Sequence, residues 1–343
     1  MPGSAPPTPA AVEVAADVIQ FLSLSLPLGI GMAVGALAIP EDRGGLVSRW
    51  VRSLTVPAAL IVLLGAALQL HSAAQITVTA LIEFAALVLA AGGLLAMRWT
   101  PSRLLARGVL IAAVLAVMIP KIPLAPTTLT RMVSTALTTV HLLGAMTWVG
   151  GLAALAATGI VMRRSALRIE DQDGVAADWS QIWQRFSMVA LVAVGALIVS
   201  GTWLAWSHVG APSQFLTTPY GRFLGVKLIL VLTLLGAGAY NVRVLLPRIH
   251  TLQADGDSRS LFRLAAQHFP SVVLGEAVLA LAILTIVPFL HGSARAQAGQ
   301  SGAVAFDMST FATGVGLVIL VAVLMWAGAR RSFRPLQPSR PGP

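Results

Sequence analysis

The 343 residues carry 23 Lys and Arg against 13 Asp and Glu, a net charge of +10, yet 57% of the chain is hydrophobic and mean hydropathy is +0.83. Only 10% is charged, where a soluble domain has about a quarter, so the composition excludes an ordinary soluble protein. There is no cysteine, which excludes disulfides, thiolate metal sites and cysteine nucleophiles together.

A helix crosses a hydrocarbon core of about 30 Å with about 20 apolar residues, and the bilayer forces helices because unpaired backbone groups cannot be left in lipid. The Pro-rich residues 1–13 read as a disordered tail. The opening "MPGSAPPTPAAVEVAAD" has no basic residue before its apolar run, so it reads as a retained span and not as a cleavable signal. The chain is expected to be an all-α polytopic membrane bundle of about nine spans, at 14–39, 53–72, 75–97, 103–120, 132–162, 184–207, 220–245, 270–290 and 309–329. Pro27 is expected to kink the first. Three regions follow the tail: four spans in 14–131, four in 132–291, and an outer loop, ninth span and basic tail in 292–343.

Charge placement explains the net +10. Alternate linkers, such as "EDRGGLVSRWVR" and "MRWTPSRLLAR", together with the tail "ARRSFRPLQPSR", hold 18 of the 23 basic residues. By the positive-inside rule these linkers are cytoplasmic. The N-terminus is then outside and the C-terminus inside, and the charge is topogenic, with no nucleic-acid partner implied.

Ionisable side chains inside spans are costly and mark function by default. They are Asp17, Glu83, His141, Lys227 and Glu276. At about 1.5 Å per residue, Glu83, His141 and Lys227 lie roughly 10–15 Å beneath the outer surface and can share one layer. Glu276 lies lower, nearer Arg185 and Asn241. Asp17 reads as a solvated helix start. On the fifth span Ser134, Thr138, His141, Gly144, Ala145, Trp148 and Gly151 form one helical stripe, whose small residues suit close helix approach, so His141 is expected to face the bundle. Tyr220, Lys227 and Asn241 make a second, seven-residue stripe. Packing accounts for such groups too: a buried His can simply bridge two helices, and Lys227 with Glu83 or Glu276 can be a neutralising pair. Imidazole can also hold a metal or move a proton near neutral pH.

A second set sits at the outer rim: His71, His208 and His291, with Met118, Met132 and Met308. Thioether and imidazole suit Cu(I), and imidazole also suits Cu(II), so this set with His141 is the candidate metal site.

Four blocks carry a family likeness: "HLLGAMTWVGGL", "QRFSMVALVAVGALIVSGTW", "TTPYGRFLGVKLILVLTLLGAGAYNVRVLLPRI" and "FRLAAQHFPSVVLGEAVLALAIL". In this order, over about 132–291, they resemble the copper resistance protein D (CopD) family of bacterial inner-membrane proteins. The resemblance rests on His141, Trp148 and Gly150; Arg185, Phe186 and Ser187; Gly201; Tyr220, Gly221 and Lys227; Asn241; Pro247; and Glu276. It implies a multi-pass protein of the cytoplasmic membrane that moves copper, often beside a periplasmic copper-binding protein of the CopC type. Neither a Met- and His-rich periplasmic segment nor a fused copper-binding domain is present.

The expected path takes copper from the outer His and Met residues through the Glu83 and His141 layer to the basic face. Lys227 would hold Glu83 or Glu276 ionised until copper displaces it. No nucleotide loop, Gly-rich dinucleotide fingerprint, HExxH or GxSxG is found, so no nucleotide cofactor and no enzymatic reaction are expected. Two other classes stay open: a non-catalytic assembly subunit of a membrane complex, and a haem protein with paired His ligands, the latter disfavoured because only His141 lies deep.

Overall fold

In the computed structural model, residues 8–37, 46–73, 75–100, 102–122, 128–165, 172–245, 247–248, 251–252, 255, 269–300 and 307–332 are described, and every element among them is helical. In chain order these are α1 (Ala11–Gly35), α2 (Leu46–Ser53), α3 (Thr55–Ser72), α4 (Val78–Met97), α5 (Arg103–Met118), α6 (Leu129–Ser165), α7 (Gln172–His208), α8 (Gln214–Thr217), α9 (Pro219–Tyr240), α10 (Phe269–Ile286), α11 (Ala294–Gln297) and α12 (Met308–Ser332). A 3-10 turn, Ile119–Lys121, extends α5; a π-helical turn, Asn241–Leu245, extends α9; a second 3-10 turn, Val287–Phe289, extends α10.

Eight of the helical stretches are long and apolar enough to cross a bilayer. They correspond to the first eight expected spans. The ninth falls in α12, a helix of 25 residues whose described apolar part, Met308–Leu320, is shorter than a span. Polar caps set several helix starts: the Thr77, Ser102 and Thr218 hydroxyls accept the Ala80, Leu105 and Gly221 amides at the heads of α4, α5 and α9. Helix α1 runs through Pro27 from Ala11 to Gly35 without a break.

Two linkers hold more structure than their charge suggests. Residues 46–53 form α2, which buries Val47, Trp50 and Val51 and leaves Arg49 exposed. Helices α6 and α7 run 37 residues each, well past the roughly 20 a span needs. Ahead of its expected span, the lower end of α7 buries Val175, Trp179, Ile182 and Trp183. The physical reason is amphipathicity: apolar residues at helical spacing among charges fold onto the bundle end.

Helix α1 is the hub, packing on α3, α5 and α6, while α4 packs on α3 and α5. The second half is built from α6, α7, α9, α10 and α12: α6 contacts α7 and α10, α10 contacts α9, and α12 contacts α7. Helices α8 and α11 lie against α9 at what is here called the upper face; α2 lies at the lower face.

Glycines set the tightest crossing. A Cβ added at Gly29 would stand 2.1 Å from the Gly150 carbonyl, and one at Gly150 would stand 1.9 Å from the Ser25 carbonyl oxygen. Only bare backbone allows α1 and α6 to meet this closely. At the lower end of α1, Arg107 Nε donates to the Gly35 carbonyl at 3.2 Å and Arg185 Nη1 donates to the Leu37 carbonyl. Two arginines from other helices thus serve the orphan carbonyls of a helix C-terminus, where positive charge is favoured.

Candidate functional site

The stripe on α6 faces α7. Gly144 lies against the Ala193 carbonyl and Leu197, and a Cβ at Gly151 would stand 2.2 Å from the Phe186 ring. Trp148 is buried between these glycine levels. The glycines of "HLLGAMTWVGGL" therefore serve helix contact: Gly150 against α1, Gly144 and Gly151 against α7. His141 completes the interface, its Nδ1 standing 3.0 Å from Ser200 Oγ, while its Cε1 occupies the space that a Cβ at Gly201 would narrow to 3.3 Å.

The hydrogen-bond pattern favours one tautomer of the ring. Ser200 Oγ has one hydrogen and donates it to the Ala196 carbonyl, so toward His141 it can only accept. The Leu197 carbonyl is a second acceptor for the ring. In the tautomer this favours, Nδ1 carries the proton and Nε2 keeps its lone pair. An imidazole oriented this way by an oxygen partner is prepared to bind a metal ion or receive a proton. The Lys227 ammonium of α9 stands within electrostatic reach of the ring.

Seven residues above Gly201, and so on the same face of α7, His208 repeats the arrangement. Its Nδ1 lies 2.7 Å from the Leu204 carbonyl, which can only accept, and the ring stacks on Tyr220 at 5.9 Å between centroids with planes 8° apart. In the tautomer that this contact favours, Nε2 again holds the lone pair. Tyr220 is in turn seven residues above Lys227 on α9.

A third level lies at the lower end of α9. Asn241 Nδ2 donates to Glu276 Oε1 at 2.6 Å, and both residues are buried, at 1% and 4% exposure. Tyr220, Lys227, Leu234 and Asn241 step down α9 at seven-residue intervals. Three polar levels result: His208 with Tyr220, His141 with Ser200 and Lys227, and Asn241 with Glu276. At about 1.5 Å per residue the first two are about 10 Å apart and the last two about 21 Å apart. Together they traverse the roughly 30 Å of a hydrocarbon core.

The upper level is roofed by α8 and α11. Gln214 Oε1 accepts the Gly210 amide at 2.7 Å, and Gln297 Oε1 accepts the Tyr220 amide at 3.0 Å at the head of α9. A Cβ at Gly221 would stand 2.0 Å from the Gln214 carbonyl oxygen, so glycine there is what lets α8 lie on α9.

The other expected site residues sit elsewhere. Glu83 is half-buried in the α1, α3, α4 and α5 half of the bundle, where the groups acting on it are the Gln69 amide and the Lys121 ammonium. His141 and Lys227 belong to α6 and α9 instead. Nor does either carboxylate engage Lys227 among the described residues: Glu83 has Gln69 and Lys121, Glu276 has Asn241. Asp17 is half-buried near the upper end of α1. His71 and His291 are exposed, and Met118, Met132 and Met308 are 37%, 54% and 66% exposed. Among the described residues no three His, Cys, Asp or Glu side chains gather as a metal cluster.

Ser200 is the neighbour of His141 that the sequence did not single out, whereas Gly201 was marked by the family likeness. The signal for Ser200 is the dipeptide "SG", whose glycine stands seven residues before His208, a polar hydroxyl and a clearance on an apolar helix.

Helices of this length and composition define a multi-pass membrane protein with a polar axis through its second half. Residues 180–290 match the family model described as Copper resistance protein D, a little under a third of the chain. That segment carries Ser200, Gly201, His208, Tyr220, Lys227, Asn241 and Glu276; it begins beyond His141 and Trp148, and so is narrower than the likeness read over 132–291. No curated protein and no solved structure matches the chain.

Proposed function

We propose that this protein moves copper across the bacterial cytoplasmic membrane, from the upper face, taken as periplasmic, to the basic lower face. The observation that carries this reading is the pair of imidazoles, His208 and His141, served by one face of α7, each with Nδ1 at hydrogen-bond distance from an oxygen. Imidazole is a ligand for both copper oxidation states. The match of residues 180–290 to a copper-resistance family favours copper over other ions.

His208 receives the ion beneath the α8 and α11 roof, where a periplasmic CopC-type protein would deliver it. The exposed Met118, Met132, Met308, His71 and His291 collect it around the rim. His141 takes it about 10 Å deeper. There Lys227 acts as a gate, because a fixed ammonium repels a second cation and keeps the occupancy low. Inward movement is drawn by the membrane potential, worth about 2.3 kcal/mol per charge per 100 mV. Glu83, apart from this axis with Gln69 and Lys121, is left to a structural role in the first half.

The test is copper accumulation in cells making equal amounts of wild type, His141→Ala and His208→Ala. Both variants are expected to accumulate less copper than wild type. Accumulation equal to wild type in both removes the imidazoles from the mechanism, and a wild type equal to empty cells removes transport. In the latter case the His141 to Ser200 bond is a packing contact, and a non-catalytic assembly subunit, recognised by stoichiometric co-purifying partners, becomes the better reading.

A further inference from the structure

The lower polar level lacks the imidazole and thioether ligands on which the copper reading rests. Its donors are a carboxylate and an amide, hard oxygen ligands unsuited to Cu(I). Yet Asn241 and Glu276 are among the most buried polar side chains of the described residues, at 1% and 4% exposure. Asn241 Nδ2 is committed to Glu276 Oε1, and Asn241 Oδ1 is buried without a hydrogen-bond partner. A buried amide oxygen left unpaired is costly, and such a group calls for an explanation.

We propose that Glu276 and Asn241 form a reversible proton-binding site inside the membrane. The amide can serve either protonation state from one position. Ionised Glu276 accepts from Nδ2, as the structure has it. When a proton adds to the carboxylate, an O–H bond forms, no group leaves, and a half-turn of the amide brings Oδ1 to accept from the new hydroxyl. The orphan oxygen is the acceptor held ready for the second state. A resident hard metal cation is disfavoured, since it asks for about six oxygen ligands and the described residues bring two side chains here.

Backbone geometry gives the site freedom to switch. Asn241 opens the π-helical turn Asn241–Leu245, a distortion that recurs at functional positions in helices. Among the described residues, the side-chain hydrogen bond of Glu276 is to the amide alone. From α6, Arg163 donates to Ser271 Oγ at 3.1 Å, about 7 Å below Glu276 along α10. On the π-helical turn Arg243 is exposed, two residues past Asn241, and Tyr240 is 46% exposed. His141 and Lys227 belong to the level about 21 Å above, and α1 has no ionisable residue between Val18 and Leu37. The proton is supplied by water at the lower face.

The test is pH-titrated infrared difference spectroscopy of the purified full chain in lipid nanodiscs, without copper, so its outcome is separate from that of the transport reading. A carboxylic-acid carbonyl band is expected to grow as pH falls, to shift in heavy water, to vanish in Glu276→Gln and to persist at a moved frequency in Glu276→Asp. In Asn241→Leu the band moves to higher frequency, because the acceptor is gone. Should Glu276→Gln fail to fold, carbon-13 glutamate labelling of the wild type must shift the band where labelled aspartate does not. Wild-type spectra without a pH-dependent glutamate band, or a band unchanged in Asn241→Leu, overturn the proposal.

Discussion

Two histidines in this chain are held by the same device, a backbone or hydroxyl oxygen within 3.0 Å of Nδ1. The expected outcome is direct: nitrogen-15 spectra of histidine-labelled protein show His141 and His208 as Nδ1–H tautomers, and an Nε2–H tautomer at either position contradicts the assignment. Ser200→Ala leaves the Leu197 carbonyl as the remaining acceptor for His141 and is expected to cost about 1 kcal/mol, with copper accumulation falling less than in His141→Ala. Another residue-scale prediction concerns exposed Asp307, whose carboxylate accepts from the Thr310 and Ser309 hydroxyls and the Ser309 amide. These bonds hold it below the usual carboxylate range, Thr310 foremost. A lowered value means that its support of the first turn of α12 is full above the unfolded value of about 3.9 and is lost as pH falls through the lowered one. Amide exchange there is expected to be slower in wild type than in Asp307→Ala at neutral pH, with the difference closing only in strong acid.

At the scale of elements, the crossing of α1 and α6 is the contact least able to yield. A Cβ at Gly29 or Gly150 meets backbone, not a side chain that can turn away. Gly150→Leu is therefore expected to destabilise by about 3 kcal/mol or more, seen as a lowered thermal midpoint in detergent, whereas Gly236→Ala, with nothing within 4 Å of the added methyl, should leave it unchanged. The stripe of Tyr220, Lys227 and Asn241 was legible because seven residues bring a helix back to nearly the same face, and the likeness of "TTPYGRFLGVKLILVLTLLGAGAYNVRVLLPRI" to a family block marks the same residues. Pairings between helices were only partly legible. Depth arithmetic set Glu276 near Asn241, where it lies, but it also set Glu83 level with His141. Depth says nothing of which side of a bundle a helix occupies, and α4 packs among α1, α3 and α5.

For the whole molecule, hydropathy runs and the alternation of basic linkers carried the architecture, because lipid leaves helices as the one way to satisfy the backbone of so apolar a chain. What they missed were the amphipathic pieces: α2 and the lower end of α7 bury Trp50, Trp179 and Trp183 among charges that read as solvated linkers. The absence of cysteine makes orientation directly measurable. Single cysteines at exposed Arg49 and Ser213 are expected to react with an impermeant maleimide only after lysis and in intact spheroplasts, respectively; the reverse pattern inverts the path.

Copper movement along the α7 and α9 axis is tested most directly by uptake of copper into proteoliposomes of the purified protein under an imposed inside-negative potential. Uptake is expected in wild type, and to be lost in the His141→Ala, His208→Ala double variant while a far-side substitution such as Glu83→Gln retains it. Uptake by the double variant at the wild-type rate would contradict the assignment.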